Sequence, residues 1–481
     1  MGLLLFWHDK LGVIHMKNMI NKDLRDLVLF AGAGTLGVLG SIFLARLAFN
    51  KVFDWATGII MTDVYDENLM EFYSAGTRMG AQNILETNLR SEKGQAITRP
   101  LGSPRKFLGF NDLMFNMAQL HRLVTPPSTK IDITVTIGPQ AKRPLRIGIP
   151  IIIAPMAYGE ALSAAAKIAL AKGASTGKAA INSGEGPFLP EERQHAKFYI
   201  QQYNRGTWAK EDEVLKKADA IEIQIGQGAI GGVGHSIKAE EIDRNLRSKM
   251  QLQRGQDAIV HARQQHTATP VEFAKFIDYL RKVTGGVPIG AKIAAGMDIE
   301  LDLDFLIESG VDFVTIDGAQ AATKGSTPIL QDDFGIPTIY ALCRATRHLQ
   351  KHKARGKITL LVGGGLFTPG DFLKAIALGA DAVCIGTAAL FAVTHTQTLT
   401  ALPFEPPTQV VWYNGKYSHK FSAEEGGKAL GQYLKSCAEE MVHGIQGLGK
   451  TSLKELDHED LCGLTSHICE VARVKPGWLP S

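Results

Sequence analysis

The sequence predicts an α/β fold, a (β/α)8 TIM barrel with an N-terminal hydrophobic helix and helical extensions. Three observations predict it. Short apolar, β-branched runs recur from residue 147 onward, helix-length segments separate several of them, and most runs are continuously hydrophobic, as parallel strands covered on both faces are. Eight such units within about 240 residues match the barrel. An open, doubly wound sheet is the alternative.

The predicted strands are eight short runs, of which the third is the weakest because polar residues interrupt it. They cover residues 147–155, 177–183, 197–203, 220–226, 288–294, 312–318, 358–364 and 381–387. Helical patterns such as "EALSAAAKIALAKG" and "PVEFAKFIDYLRKVTG" lie between several of them. The stretch 229–287 is too long for one loop and one helix. We expect it over the carboxyl-terminal mouth of the barrel, where active sites of this fold lie.

Four regions are predicted along the chain. They are an N-terminal segment (1–60), an irregular lead-in packed on the barrel (61–145), the barrel itself (146–400) and a C-terminal helical extension (401–481). In the extension, six residues at helical spacings of three and four form one apolar stripe: Leu430, Tyr433, Leu434, Cys437, Met441 and Ile445. We expect this stripe to pack on the body or on another subunit, which leaves a homo-oligomer open.

One segment of the N-terminal region, residues 27–45, carries no charge over a length that could span a bilayer as a helix. The sequence therefore predicts a single-pass membrane anchor, with a buried helix as the alternative. The excess of lysine and arginine before the segment favours a cytoplasmic N-terminus. The cysteine usage and the chemistry below favour a cytoplasmic catalytic body, and we expect the latter.

Composition narrows the classes of function. The formal net charge of +4 over 481 residues does not indicate nucleic-acid binding. The five cysteines are scattered and form no C-x-x-C pair, which is typical of a reducing compartment. Their spacing also offers no zinc or iron–sulfur ligand set, so no metal site is predicted.

The segment 360–390 places glycines at the ends of two neighbouring predicted strands, with a helix predicted to begin at Thr368 between them. The residues at the strand ends are Gly364 and Gly365 after run seven, and Gly386 and Thr387 after run eight. In this fold, phosphate groups commonly bind there, on backbone N–H groups and a helix N-terminus. The pattern predicts a phosphate site, with plain tight turns as the alternative.

Six motifs occur in a fixed order across about residues 145–400. They are "APMAYG" (154–159), "INSGEG" (181–186), "EIQIGQGA" (222–229), "GAKIAAG" (290–296), "TIDGAQAATKGSTP" (315–328) and "VGGGLFTPGDFLKAIALGADAVCIGTAAL" (362–390). Together they resemble the FMN-binding synthase domain of the glutamate synthase large subunit. The set as a whole is specific, whereas any single motif is not.

The resemblance implies FMN at the barrel mouth, with its phosphate on the glycine turns after strands seven and eight. It assigns these residues to the cofactor: Met156, Ala157, Tyr158, Asn182, Gln224, Lys292, Asp317, Gly318, Gly364, Gly365, Gly386 and Thr387. Lys292 is also expected to act in catalysis. A lysine that ends a buried strand is costly unless it is paired, and beside a flavin it could stabilise negative charge. A lysine reaching out to the rim is the alternative.

The resemblance also implies residues on the substrate side. Glu185 and Gln227 are expected to be catalytic, and Gln227 is expected to contact substrate as well. Arg205 could hold a carboxylate with its forked donors, or form a surface salt bridge. Lys324 could reach an acidic substrate or the phosphate, or lie in a solvated loop.

In that family, the synthase step reduces 2-iminoglutarate, formed from 2-oxoglutarate and ammonia, by hydride from reduced FMN. The sequence departs from the family in three places. No glutaminase domain is predicted, so ammonia would be free or supplied by a separate protein. Residues 391–421 contain no cysteine, so an iron–sulfur cluster is not expected, and a separate electron donor is left open. Ile230 and Val233 replace a lysine and an acid of the family's substrate loop.

These departures leave two alternatives to the glutamate synthase reaction. One is an FMN oxidoreductase that acts on a different amine, imine or 2-oxo acid. The other is a non-enzymatic, flavin-binding scaffold at a membrane.

Overall fold

The computed structural model describes residues 41, 43–68, 70–321, 326–402 and 406–480, and the chain divides into two units, 1–97 and 98–481. In the first unit, the described residues are helical over 43–62, Glu71–Met79 and Ala81–Lys93. The last of these helices ends at Gly94, whose φ of 58° is the left-handed conformation that glycine adopts without strain.

The second unit contains a closed barrel of eight parallel strands. The strands are β1 (Ile151–Ile153), β2 (Ala180–Asn182), β3 (Tyr199–Tyr203), β4 (Ala220–Gln224), β5 (Ile289–Ala294), β6 (Phe313–Asp317), β7 (Thr359–Gly363) and β8 (Ala382–Ile385). Each strand pairs with the next, and Val383 opposite Ile151 closes the ring. Each lies within one predicted run, so the predicted fold class is confirmed. The strands are shorter than most of the runs because the runs included loop residues at one or both ends of the strand.

Helices follow the strands around the barrel. They are α1 (Ala164–Gly177), α2 (Pro190–His195), α3 (Asp212–Leu215), α4 (Pro270–Thr284), α5 (Ile299–Ser309), α6 (Thr338–Lys351), α7 (Pro369–Ala377) and α8 (Thr387–Thr394), with α9 (Ala423–Gly447) beyond the barrel. Their starts follow ordinary capping chemistry. Ser163, Thr269 and Thr368 each accept a hydrogen bond from a backbone N–H of the first turn.

Short elements occur before, between and after the barrel strands in the sequence. Further helices span Arg244–Lys249, Pro328–Asp332, Pro406–Val411 and Ser466–Ala472, and further strands include Leu113–Phe115, Val135–Ile137, Leu145–Ile147 and Leu461–Gly463. The antiparallel pair Val135–Ile137 and Leu145–Ile147 covers the amino-terminal end of the barrel. A Cβ at Gly138, in its turn, would lie 2.6 Å from Pro288, beside the start of β5. This end is therefore tightly closed, and access to the barrel interior is from the opposite end.

The C-terminal helix α9 packs along α1. Its predicted stripe is buried at Leu430, Leu434, Cys437, Met441 and Ile445, whereas Tyr433 is half-buried. Two glycines of α1 make room for it: a Cβ at Gly173 would lie 2.6 Å from Leu430, and one at Gly177 would lie 2.5 Å from Leu434. The stripe thus packs on the body of the same chain.

The predicted single-pass membrane anchor is wrong. In the part of the chain that the structure describes, no helix is both long and apolar enough to cross a membrane. Most of the predicted span, 27–45, lies outside the described residues, and its last three residues belong to the helical segment 43–62. Arg46, Lys51 and Asp54 place three charges within the helical segment 43–62, and such charges are costly inside a membrane.

Candidate active site

A cavity of about 740 Å³ opens at the carboxyl-terminal ends of the barrel strands. Loops that follow the strands form its wall, as expected where active sites of this fold are built. Ten of the predicted site residues line it: Met156, Ala157, Glu185, Gln227, Lys292, Asp317, Gly364, Gly365, Gly386 and Thr387. The structure therefore brings together in one cavity residues that are separated by more than 200 positions in the sequence.

Lys292 lies on the floor of this cavity, on β5, with its side chain 1% exposed. Its Nζ donates a hydrogen bond of 2.7 Å to Oδ1 of Asp317 at the end of β6. Burial lowers the pKa of Lys292, but the charges of Asp317 and Glu222 raise it more, and the net shift is upward. Lys292 is therefore a permanent, buried cation.

The second of these carboxylates, Glu222, was not predicted as a site residue. It lies on β4 and is 2% exposed. Its Oε1 accepts hydrogen bonds from Asn182 (2.8 Å) and Gln202 (2.9 Å), and its Oε2 accepts one from Thr315 (2.6 Å). Asn182 supports Glu222 and does not line the cavity. A signal was present in the sequence, because "AIEIQIG" places a glutamate inside an otherwise apolar strand.

Glu185, in the turn after β2, is held by two glutamines. Its Oε2 accepts a hydrogen bond of 2.7 Å from Gln224, and its Oε1 accepts one of 3.5 Å from Gln227. The preceding Gly184 has a φ of 75°, and a Cβ there would lie 2.6 Å from the backbone of Met156. Only glycine allows this close approach of the β1 and β2 turns. Gln224 thus positions Glu185 from behind and does not itself line the cavity.

Two further cavity residues, Glu160 and His235, were not predicted from the sequence. His235 Nε2 lies 3.4 Å from Glu160 Oε2 and 3.9 Å from Glu185 Oε1. Burial lowers the pKa of His235, but the hydrogen bond to Glu160 and the two carboxylate charges raise it more, so it rises overall. Because Glu160 and His235 are 75 positions apart, sequence spacing could not pair them.

The glycine turns after β7 and β8 form the opposite wall, which we call the glycine cradle (Gly363–Gly365, Gly386 and Thr387). Gly364 and Gly365 have φ values of 118° and 70°, in the region that favours glycine. Gly386 has a φ of −110°, and a Cβ there would lie no closer than 3.7 Å to its nearest neighbour, Ala154. Neither the backbone conformation nor the packing therefore requires a glycine at position 386. The missing side chain leaves open space in the cavity wall.

The helix between these turns begins as predicted but does not supply donors to the cradle. Thr368 caps α7, and Oδ2 of Asp371 accepts hydrogen bonds from the N–H groups of Phe367 and Thr368. The free helix N-terminus at the cavity is that of α8, which begins at Thr387. Among the backbone hydrogen bonds of loops and helix caps in the described residues, none has the N–H of Gly365 or of Gly386 as its donor.

The segment between β4 and β5 covers the mouth, as expected for 229–287. It contains a hairpin of His235–Ile237 and Ala258–Val260 and contributes Ile230, Val233 and His235 to the cavity. Arg205 holds this segment in place. Its guanidinium donates to the carbonyls of Gly232 (2.7 Å), Val233 (3.2 Å) and Ala262 (3.2 Å).

Comparison with known proteins identifies the family. The family model described as the conserved region in glutamate synthase matches residues 110–451. The chain belongs to this family. A glutamate synthase large subunit-like protein of Rhizobium meliloti (strain 1021) is 31% identical over 404 residues, which cover 79% of this chain and 91% of that protein. The archaeal glutamate synthase [NADPH] of Archaeoglobus fulgidus is 30% identical over 337 residues, which cover 69% of this chain and 65% of that protein.

Among solved structures, a mutant flavocytochrome b2 with pyruvate bound matches with a TM-score of 0.46 and 17% identity, covering 77% of this chain and 80% of that chain. The resemblance to glutamate synthase is confirmed by the family match, and so is the predicted class, an oxidoreductase of the glutamate synthase type.

Within this glutamate synthase-type cavity, several predicted residues lie elsewhere than expected. The Tyr158 side chain is buried in a separate cluster, where its hydroxyl accepts a hydrogen bond from Asn245. Gly318 packs against Thr338 of α6. Arg205, Tyr158 and Gly318 do not line the cavity. Lys324 lies outside the described residues.

Proposed function

We propose that the cavity binds FMN and that the chain catalyses the reduction of 2-iminoglutarate, formed from 2-oxoglutarate and ammonia, to glutamate. The observation that carries this proposal is the buried ion pair of Lys292 with Asp317, which lines the same cavity as the glycine cradle and Glu185. A buried cation is costly and is retained where it has a task. Here that task is to stabilise negative charge in the cavity.

The glycine cradle is the proposed phosphate site. Backbone N–H groups of Gly365 and Gly386 and the N-terminus of α8 offer donors to an anion, and the helix dipole favours negative charge there. The open space at Gly386 fits a bound group. Met156 and Ala157 would contact the flavin ring. When bound, FMN supplies the hydride chemistry, and the protein residues bind, orient and exclude water.

Lys292 and Glu185 would divide the electrostatic work. Lys292, held by Asp317, offers a fixed positive charge in a site of low dielectric, where such charges act strongly. Glu185, held by Gln224 and Gln227, offers a carboxylate to a positively charged nitrogen.

The experiment begins with colour. Purified protein is expected to be yellow and to release FMN on denaturation. After anaerobic photoreduction, 2-oxoglutarate with ammonium should reoxidise the flavin and yield glutamate, whereas either compound alone should not. A colourless protein that FMN cannot reconstitute would contradict the cofactor assignment, and a reduced flavin that both compounds together leave unchanged would contradict the substrate.

A second candidate keeps FMN but changes the substrate to another amine, imine or 2-oxo acid. The composition of the cavity wall favours it. In the described part of that wall, the cationic side chains are those of Arg105, Lys292 and His235, and Arg105 donates to the carbonyl of Asp332. Glu160 and Glu185 add two carboxylates. Few cationic side chains are available there to bind a dicarboxylate. The carboxylates would instead attract a substrate with a positively charged nitrogen.

The two candidates are separated by a substrate panel at the same flavin. Oxidised enzyme is mixed with amino acids and simple amines, and reduced enzyme with 2-oxo acids in the presence of ammonium. Flavin bleaching by an amine, with no reoxidation by 2-oxoglutarate and ammonium, would support the second candidate over the first.

We further propose that electrons and ammonia come from separate partners. Relatives of this chain are named as NADPH enzymes, so NADPH is the first donor to test. Anaerobic titration with NADPH should bleach the flavin directly if no partner is needed. If the flavin stays oxidised until an NADPH-dependent reductase is added, a separate electron-donor protein is required.

A further inference from the structure

The outer face of the barrel carries a cluster of metal-ligating side chains that the proposed function does not use. His348 lies in the last turn of α6 and His352, four residues later, is the residue that caps its C-terminus, so the two side chains lie one turn apart. Asp304 lies on the neighbouring helix α5 and faces both. None of the three lines the active-site cavity.

The distances within this cluster are those of a nearly formed site. His348 Nε2 lies 2.7 Å from Oδ1 of Asp304, and His352 Nε2 lies 3.6 Å from the same oxygen. One ligand atom from each residue lies within 4.8 Å of the other two. A metal ion at the usual distance of about 2.0–2.2 Å from nitrogen and oxygen requires ligand atoms about 3–3.5 Å apart. Side-chain rotations that move the ligand atoms by less than about an ångström would meet that requirement.

The two helices are held in register beside the cluster. One turn earlier on each helix, Arg344 of α6 pairs with Glu300 of α5, with Nε donating to Oε1 at 2.8 Å. Glu300 and Asp304 are four residues apart, as are Arg344 and His348. The ion pair therefore fixes the relative position of the backbones that carry the ligands. The site needs little reorganisation on binding, which lowers the cost of binding.

The donor set indicates the class of metal. Two imidazole nitrogens and one carboxylate suit Zn²⁺ and similar transition metals, whereas Mg²⁺ and Ca²⁺ prefer sets of oxygens. The side chains of His352 and Asp304 are 38% and 45% exposed, so water can reach the site and supply the fourth ligand. The two imidazole rings lie side by side, with ring centroids 4.3 Å apart and planes tilted by 33°.

We propose that Asp304, His348 and His352 form a zinc-binding site that crosslinks α5 and α6 on the outside of the barrel. This inference is independent of the proposed reaction. The sequence contains its signal, the i, i+4 histidine pair in "RHLQKHK" (347–353), but the third ligand comes from another helix and is visible only in the structure.

The experiment is a zinc titration of metal-free, FMN-loaded protein in competition with a chromophoric chelator. Wild type is expected to bind one Zn²⁺ at this site and to melt at a higher temperature with zinc than without. His352→Ala and Asp304→Asn are expected to weaken that binding by more than about tenfold and to abolish the zinc-dependent rise in Tm. Both positions are partly exposed, so both variants are expected to fold.

His443→Ala is the matched control, because His443 is also an exposed helix histidine, on α9. It should bind zinc as wild type does. Zinc affinity and stoichiometry that are the same in wild type, His352→Ala and Asp304→Asn would overturn the proposal. A lower Tm of the zinc-free Asp304→Asn protein combined with unchanged zinc affinity would overturn it too, because the cluster would then only tie the two helices together.

Discussion

The two walls of the cavity are built in different ways. The glycine cradle consists of strand ends and a helix N-terminus, and its shape follows from backbone conformation at Gly364 and Gly365. The opposite wall belongs to the long segment after β4, which depends on side-chain hydrogen bonds such as those of Arg205. The backbone at the ends of the barrel strands thus forms the cofactor side. A long loop, whose residues can be substituted without altering the barrel, forms the substrate side.

This difference explains why the cofactor is easier to infer than the substrate. A glycine turn at a strand end restricts the kind of group that can bind there, because its backbone N–H groups favour an anion. The substrate wall has Ile230 and Val233 where the resemblance predicted a lysine and an acid, and it adds Glu160 and His235.

Lys292→Met removes the buried cation from the floor of the cavity. Flavin reoxidation by substrate is expected to slow by about 10²–10³-fold, because a preorganised charge is lost from a buried site. Stopped-flow absorbance of the flavin measures it. Lys282→Met, at an exposed lysine on α4, is the control and should react at the wild-type rate. Equal rates in the two variants would contradict the role assigned to Lys292.

Gly386→Val fills the glycine cradle without demanding a new backbone conformation. We expect a loss of about 1–3 kcal/mol of FMN binding free energy, or about 5–150-fold in affinity, because the added side chain enters space that the phosphate needs. Fluorescence titration of the apoprotein with FMN measures it, and circular dichroism checks that the barrel is intact. An intact variant that binds FMN as tightly as wild type would place the phosphate elsewhere.

Arg205→Lys tests whether the substrate wall can be altered separately. Lysine cannot donate to three carbonyls in the guanidinium geometry, so the covering segment should lose about 1–3 kcal/mol of local stability. The expected result is faster amide hydrogen exchange over 229–262 and a higher KM, with FMN content unchanged. Arg254→Lys, an exposed arginine of the same segment, is the control. A loss of FMN in Arg205→Lys would show that the two walls are coupled.

Glu160→Gln should lower the pKa of His235, because it removes the partner that raises that pKa. A raised folded-state pKa stabilises the fold fully below the unfolded-state value of about 6.5, and this stability is lost as pH rises through the folded-state value. Wild type should therefore gain more Tm than Glu160→Gln does as pH falls from 8.5 to 5.5. Nuclear magnetic resonance titration of His235 measures the pKa directly; identical titration curves in the two proteins would refute the pairing.

The sequence was sufficient for the barrel because most of the strands lie in near-continuous apolar runs, which are typical of parallel strands covered on both faces. It was also sufficient to locate Lys292 and the glycine turns at the mouth. It could not show that Arg205 turns away to bind carbonyls, because hydrogen-bond direction depends on the fold of a distant segment. Nor could it show that Asp371 accepts hydrogen bonds from the N–H groups of Phe367 and Thr368, or that the N-terminus of α8 lies at the cavity.

The packing of α9 on α1 has a consequence for the order of events during protein synthesis. Gly173 and Gly177 of α1 emerge from the ribosome more than 250 residues before the leucines that cover them, Leu430 and Leu434. Contacts of such high sequence separation form slowly, and until they form, the small-residue face of α1 is exposed to water. This face of α1 therefore stays uncovered until nearly the whole chain has been synthesised.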